Sequence, residues 1–340
     1  MTAQASPWDL PGLDGWLEDL SEQLRRGLLL LPPMAVAPIG LVDALVARCR
    51  GLHDCGEIRC DARDCRQPAA ILAEPLGCTP TLDALASPAC DQQLVILRLA
   101  DGLPAQGKSW LTFLRRLAQA RREKPGLCVL VPDAPAALCG QDLPCAEDWR
   151  YSLSRGDRVI WAEEHLPRGR SGLAAELAVA LAVELCGWRL DLAAELARAS
   201  VEDLIRPLDW LARRGSDSAA ETGKGDACPL ALYRGGDSAQ LRRRVWRAHL
   251  FTFFPRLEEQ RLDFIDRYRK RLRVDEHLRS LGVTSVDDIE LGALRHQLRG
   301  ALDRGDADRL EALARLRNRL AHRQPGDPED CRTVLAIKDP

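Results

Sequence analysis

Leu94-Val95-Ile96-Leu97-Arg98-Leu99, closed by Asp101 and followed by an amphipathic stretch from Trp110 to Arg122, is the segment on which the fold turns. A short apolar run of this kind, bounded by turn residues, reads as a strand buried on both faces, and the stretch after it reads as a helix. Leu127 to Val131 is a second buried strand. Upstream, Asp14 to Arg26 places Trp16, Leu17, Leu20 and Leu24 at helical spacing and leads into the apolar run Leu28 to Leu31, stopped by Pro32-Pro33. Ile39 to Cys49 again has helical periodicity, Glu57 to Cys60 reads as a short strand, and Arg158 to Ala162 as a further one. Strands separated by helices imply a mostly parallel sheet, because parallel neighbours need crossover connections.

From Leu173 to Arg213 the pattern is helical throughout, with Leu177, Leu181, Leu185, Leu192 and Leu196 marking apolar faces. Between Arg214 and Gln240 the composition shifts to Gly, Ser, Asp and Ala, as a linker does. Beyond it, Leu241 to Arg273 and Asp288 to His322 are rich in Leu, Arg, Glu and Ala at helical spacing. The expected organisation is an α/β domain with a helical lid over residues 1–213, a linker over 214–240 and an all-α bundle over 241–340.

A length of 340 residues accommodates two cores, given the roughly 100 to 200 residues of a common domain. Forty-eight basic residues nearly balance fifty acidic ones, which excludes a polyanion-coating protein as a whole and leaves only local basic stretches. No basic-then-apolar segment opens the chain, and the apolar run Gly172 to Trp188 is interrupted by Glu176 and Glu184. The expectation is a cytoplasmic protein without a membrane segment, its twelve cysteines reduced. Cys49, His53, Cys55, Cys60 and Cys65 lie close together, yet four-residue gaps without a second tight knuckle are not zinc-site spacing, and no metal is expected there. Glu163 and Glu164, after the expected strand at 158–162, read as solvent-facing residues rather than catalytic acids.

Gly102-Leu103-Pro104-Ala105-Gln106-Gly107-Lys108-Ser109 satisfies the phosphate-loop pattern and lies between a strand and a helix. There, backbone amides would cradle phosphates, Lys108 would meet the β and γ groups, and Ser109 would hold magnesium. The competing reading makes this segment a strand-to-helix turn in which Ser109 caps a helix beginning at Trp110. The element order resembles the AAA and STAND class of P-loop ATPases, whose first core strand carries the phosphate loop and a later strand ends in the Walker B acid. That resemblance assigns Leu28 to Leu31 as the first strand, Pro32 to Gly40 as its loop, and Asp101 as the acidic strand end. The loop Pro-Pro-Met-Ala-Val-Ala-Pro-Ile-Gly lacks Gly-Lys-Ser/Thr, so the resemblance implies a degenerate ATPase-like domain. An active ATPase using Lys108, with ATP and magnesium as ligands, is the alternative.

In the C-terminal part, Leu310, Leu313, Leu316 and Leu320 form one apolar face that ends before Pro325-Gly326. Asn318 and His322 are four apart and share a face, while Arg317 lies about 100° round from Asn318. Arg317-Asn318-x-x-x-His322 resembles the signature of the HEPN superfamily, over about the last hundred residues. The resemblance implies a metal-independent endoribonuclease, usually dimeric, of toxin-antitoxin and anti-phage defence systems. Residue chemistry agrees with it: His322 would transfer protons near neutral pH, Arg317 would hold phosphate bidentately, and Asn318 would orient one or the other. Arg242-Arg243-Arg244 and the stretch Arg267 to Arg273 are basic enough to track an RNA backbone. The expected partners are RNA and a second copy of the chain or other proteins of a defence complex. A non-enzymatic adaptor or regulatory subunit of such a complex is the rival reading, because a fold does not by itself establish cleavage.

Overall fold

The computed structural model describes residues 6–337 apart from 35–36, 50, 61–65, 100–106, 123, 140–141 and 216–227. It divides into two compact units, one through Ser154 and one from Arg155 onward. The first is mixed α/β and the second is helical.

In the first unit, α1 (Pro11–Arg25) is followed by β1 (Leu28–Leu30), α2 (Leu41–Arg48), β2 (His53–Cys60), β3 (Gln93–Leu99), α3 (Gly107–Arg121) and β4 (Cys128–Val131), with short helical turns between β2 and β3. The four strands form one sheet in the order β1-β4-β3-β2, and every pairing in it is parallel. Leu28, Leu29 and Leu30 of β1 and all of β4 are buried. That double-sided burial is why these strands read as unbroken apolar runs. Trp110, Leu114 and Leu117 of α3 are fully buried in the same core as Val95, Leu97 and Val129 of the sheet.

The sequence expectation of a strand at Arg158 to Ala162 is overturned. Those residues lie inside a helix, α4 (Arg155–Glu164), with Trp161 and Ala162 buried and Ile160 exposed. A run of four apolar residues fits either period, and only packing chooses between them. The place beside β1 on its outer side is taken instead by the chain around Cys145. Leu30 N–H donates to Pro144 O at 2.8 Å, and Ala146 N–H donates to Leu30 O at 2.8 Å. Ser109 is also displaced from its expected role: α3 begins at Gly107, so Ser109 sits within its first turn rather than capping it.

The second unit continues with α5 (Gly172–Leu181), a wide π-helical turn at Ala182–Cys186, α6 (Leu190–Arg198), α7 (Ser238–Tyr268), α8 (Leu291–Leu298), α9 (Arg304–Ala321) and α10 (Pro328–Leu335). The helices expected to form a lid on the sheet domain thus fall in this unit, where α5 packs along α7. Arg244 of α7 is buried and donates to Leu185 O at 3.2 Å, taking up a carbonyl that the π-helical turn leaves out of the regular ladder. Within the stretch expected as linker, residues 229–234 are helical and α7 begins at Ser238, while 216–227 lie outside the described residues. Among the described residues no helix is long and apolar enough to cross a membrane.

Candidate functional site

The C-terminal motif is set by α9 and by how that helix stops. Asp303 caps its start, accepting from Asp306 N–H at 2.8 Å, and Leu310, Leu313, Leu316 and Leu320 are buried as their spacing requires. Asp330 of α10 is buried and accepts from Arg315 through Nε at 3.0 Å and Nη2 at 2.6 Å, a two-pronged tie that holds α10 to α9. The hydrogen bonds from Asp330 and then Glu311 keep the Arg315 guanidinium above its ordinary range.

At the other end, three contacts fix the last turn. Trp246 Nε1 donates to Leu320 O at 2.8 Å, Gln324 N–H donates to Arg319 O at 2.9 Å, and Arg323 N–H donates to Leu320 O at 3.1 Å. The last two are the paired bonds of a Schellman stop, in which the residue after the cap takes a left-handed backbone. Here that residue is Arg323, with φ +57°. His322 is the cap itself (φ −88°, ψ 18°), and Arg319 Nε reaches Pro325 O at 2.7 Å to close the turn.

The outcome for the three motif residues is specific. Asn318 and His322 are both exposed, on one side of the helix end, joined through the backbone by His322 N–H donating to Asn318 O at 3.1 Å. Arg317 is half-buried and points its Nη2 to Glu290 Oε2 at 2.9 Å. A single protomer therefore presents Asn318 and His322 together, with the guanidinium engaged by a carboxylate from the start of α8. Glu290 also lines a cleft of about 730 Å³ whose walls include His277, Leu281, His296 and Gln297. Sequence reasoning missed Glu290, His277 and His296, since no motif spacing links them to α9.

The basic stretches expected to track RNA divide in two: Arg242, Arg243, Lys270, Arg271 and Arg273 are exposed, whereas the other three are engaged by the fold. Arg244 is buried, Arg267 pairs with Asp306 at 2.9 Å, and Arg269 pairs with Asp266 at 3.0 Å and Asp287 at 2.5 Å. Tyr268 Oη also donates to Asp306 Oδ2 at 2.7 Å.

In the α/β unit, the sheet order defines a second location. The chain leaving β1 travels to β2 at the far edge, whereas the chain leaving β4 returns past β1 to the bridge at Cys145. The two connections leave the carboxyl ends of β1 and β4 in opposite directions along the sheet, and the carboxyl ends of the strands are where open α/β sheets bind ligands. A cavity of about 270 Å³ lies there, lined by Leu31, Pro32, Met34, Pro38, Arg98 and Asp133. It is at the small end for a ligand site. Pro32, Pro33 and Pro38 have no N–H, so the loop after β1 lacks donors that a phosphate cradle needs. Arg98 is committed to Glu57 at 2.9 Å and Asp133 at 3.3 Å, and hydrogen bonds from Arg98 and then Arg59 hold the Glu57 carboxyl below its ordinary range.

Of the residues named for the other phosphate-loop reading, Gly107, Lys108 and Ser109 form the first turn of α3, with Lys108 and Ser109 exposed, while Asp101 and Gly102 lie outside the described residues. Glu163 and Glu164 are exposed at the end of α4. Among the described residues no three His, Cys, Asp or Glu side chains stand together as a metal site, and Cys65 lies outside them. Cys49 is buried, its thiol pushed up to about 11 by that burial, and Cys55 Sγ donates to Gln93 Oε1 at 2.7 Å.

No family model matches the chain, and no curated protein matches it.

Proposed function

We propose that this chain is a conflict or anti-phage defence protein in which a HEPN-like helical unit cleaves RNA without metal, controlled by an AAA/STAND-like α/β unit that has lost its phosphate loop. The observation that carries the reading is the exposed pair Asn318 and His322 on a rigidly stopped helix, with Arg317 adjacent. In the reaction, the 2′-oxygen attacks phosphorus and the bond to the 5′-oxygen breaks. His322 exchanges the protons, and Arg317 stabilises the charge gathering on the phosphoryl oxygens. One copy supplies one such set on an open surface, so a second copy facing it across a two-fold axis completes the cleft.

Two features support the degenerate reading of the α/β unit: the proline-rich loop after β1, and the small cavity at the carboxyl ends of β1 and β4. The alternative, an ATPase using Lys108, predicts nucleotide binding that Lys108→Ala abolishes; binding that is absent or unchanged by that substitution removes it.

The test of the ribonuclease is incubation of wild type and His322→Ala with tRNA and total RNA in EDTA. Cleavage by wild type alone is the expected result, and equal inactivity of both sinks the claim. A second reading, a non-enzymatic adaptor, is favoured by the Arg317–Glu290 ion pair, which occupies the guanidinium that cleavage needs. Recovery of a stable complex with neighbouring gene products that still cleaves no RNA would establish it.

A further inference from the structure

We propose that the groove between α1 and α3 in the α/β unit is a docking site for the sugar–phosphate backbone of single-stranded nucleic acid. The helix on one side of it is unusual in composition. From Gly107 to Arg122 there is no acidic residue, and Lys108, Arg115, Arg116 and Arg122 are all exposed. A helix that only solvated its outer face would interleave both signs and gain from i,i+4 pairs. This one carries a single sign instead.

The groove has a volume of about 1220 Å³, and its cations are Arg26 at the end of α1 and Arg115 and Arg122 on α3. Ala118 and Gln119 lie between the two α3 arginines, so the wall dips where the side chain is small. Arg115 and Arg122 are seven residues apart, which at helical geometry puts them on nearly the same face about 10.5 Å apart along the axis. Among the described lining residues Asp142 is the one that is acidic, beside Arg26, Arg115 and Arg122.

A buried arginine builds this cluster. Arg121 donates through Nε to Leu127 O at 3.0 Å and through Nη2 to Arg25 O at 3.2 Å, and its Nη1 reaches Lys124 O. These bonds draw the carboxyl ends of α1 and α3 together, so that Arg26 and Arg122 line one groove. Gly27 permits the approach: a Cβ there would overlap the Arg121 Cβ. Helix dipoles account for cations in a last turn, but Arg115 stands two turns earlier and is outside their reach.

The lining chemistry selects the ligand class. Arginine forks match phosphate oxygens, and Gln23 and Gln119 offer amides for sugar hydroxyls and base edges. No aromatic side chain is among the described lining residues, whereas a protein partner is commonly anchored by aromatic side chains in a desolvated pocket. Interactions of this kind hold a backbone and tolerate sequence. The site lies in a different unit from Arg317 and His322, so it stands independently of the proposed cleavage.

The experiment uses the full chain carrying His322→Ala, so that any cleavage is silent, with fluorescently labelled 20-nucleotide RNA and DNA followed by anisotropy over a salt series. Arg26→Glu with Arg122→Glu is expected to weaken both probes by tenfold or more and to reduce the slope of log K against log salt by about 1.4, at about 0.7 for each phosphate that is no longer neutralised. Arg26→Gln with Arg122→Gln serves as the milder pair should charge reversal unfold the unit, and a smaller loss in the same direction is expected. Loss for RNA alone or DNA alone identifies which nucleic acid is the ligand. Affinity and slope unchanged from the parent in the folded variants overturn the proposal, as does loss of binding to labelled polyglutamate with nucleic-acid binding intact.

Discussion

Glu290 Oε2 lies 2.9 Å from Arg317 Nη2, so the residue just before α8 holds the guanidinium beside Asn318 on α9. Both side chains are partly exposed, at 57% and 34%. A pair of that exposure contributes about 0 to 1 kcal/mol. Glu290→Gln is therefore expected to leave urea unfolding within about 1 kcal/mol of wild type while raising RNA affinity or cleavage several-fold, because the cation is released. A variant that unfolds easily, or whose RNA activity falls, contradicts a masking role for Glu290.

Arg323 carries φ +57° where the stop of α9 calls for a left-handed residue. A non-glycine residue in that conformation costs roughly 1 to 2 kcal/mol, and glycine relieves it at some cost in chain entropy. Since the Arg323 side chain is exposed, Arg323→Gly is expected to stabilise the helical unit by about 0.5 to 1 kcal/mol. Thermal unfolding reads this as a rise of a few degrees, and a fall would mean that the Arg323 side chain contributes more than its backbone costs.

His249 is fully buried on α7, and burial pushes its imidazole down from 6.5 to about 4. Gly326 N–H donates to its Nδ1 at 3.0 Å, which requires a ring nitrogen without a proton and places the one proton of the neutral ring on Nε2. The folded-state value lies below the unfolded one, so between these values the unfolded chain binds more protons. Stability contributed by the neutral ring is present above about pH 6.5 and is lost as pH falls towards 4. The loss is about 3 kcal/mol over that window, at about 1.4 kcal/mol per pKa unit. Denaturant unfolding at pH 7.5, 6 and 4.5, compared with His249→Phe, measures it; parallel pH curves for the two proteins would remove His249 as the cause.

Gly27 combines φ +113° with the Arg121 stem at its open side. Gly27→Ala is expected to destabilise the α/β unit by about 2 kcal/mol or more, from backbone strain and overlap together. The same substitution should weaken nucleic-acid binding at the α1–α3 groove, because Arg121 can no longer hold the two helix ends together. Wild-type stability and binding in Gly27→Ala would show that the Arg121 bonds do not position those ends.

Some of this protein is written locally. Leu28 to Leu31, Leu94 to Leu99 and Leu127 to Val131 declare themselves as buried strands because double-sided burial demands unbroken apolar runs, and Leu310, Leu313, Leu316 and Leu320 declare the inner face of α9 because helical period is a property of neighbours. The exposed positions of Asn318 and His322 follow from the same periodicity. What the sequence left undecided depends on partners far along the chain. Arg158 to Ala162 fits a strand or a helix equally well until Trp161 finds its burial site, and the place beside β1 goes to the chain around Cys145 through hydrogen bonds to Leu30. No spacing rule assigns Arg317 to Glu290, buries Arg121 against three carbonyls, or draws Arg26 to Arg122. Charge pairing and sheet order are set by which surfaces meet in three dimensions, and only the tertiary structure brings those surfaces together.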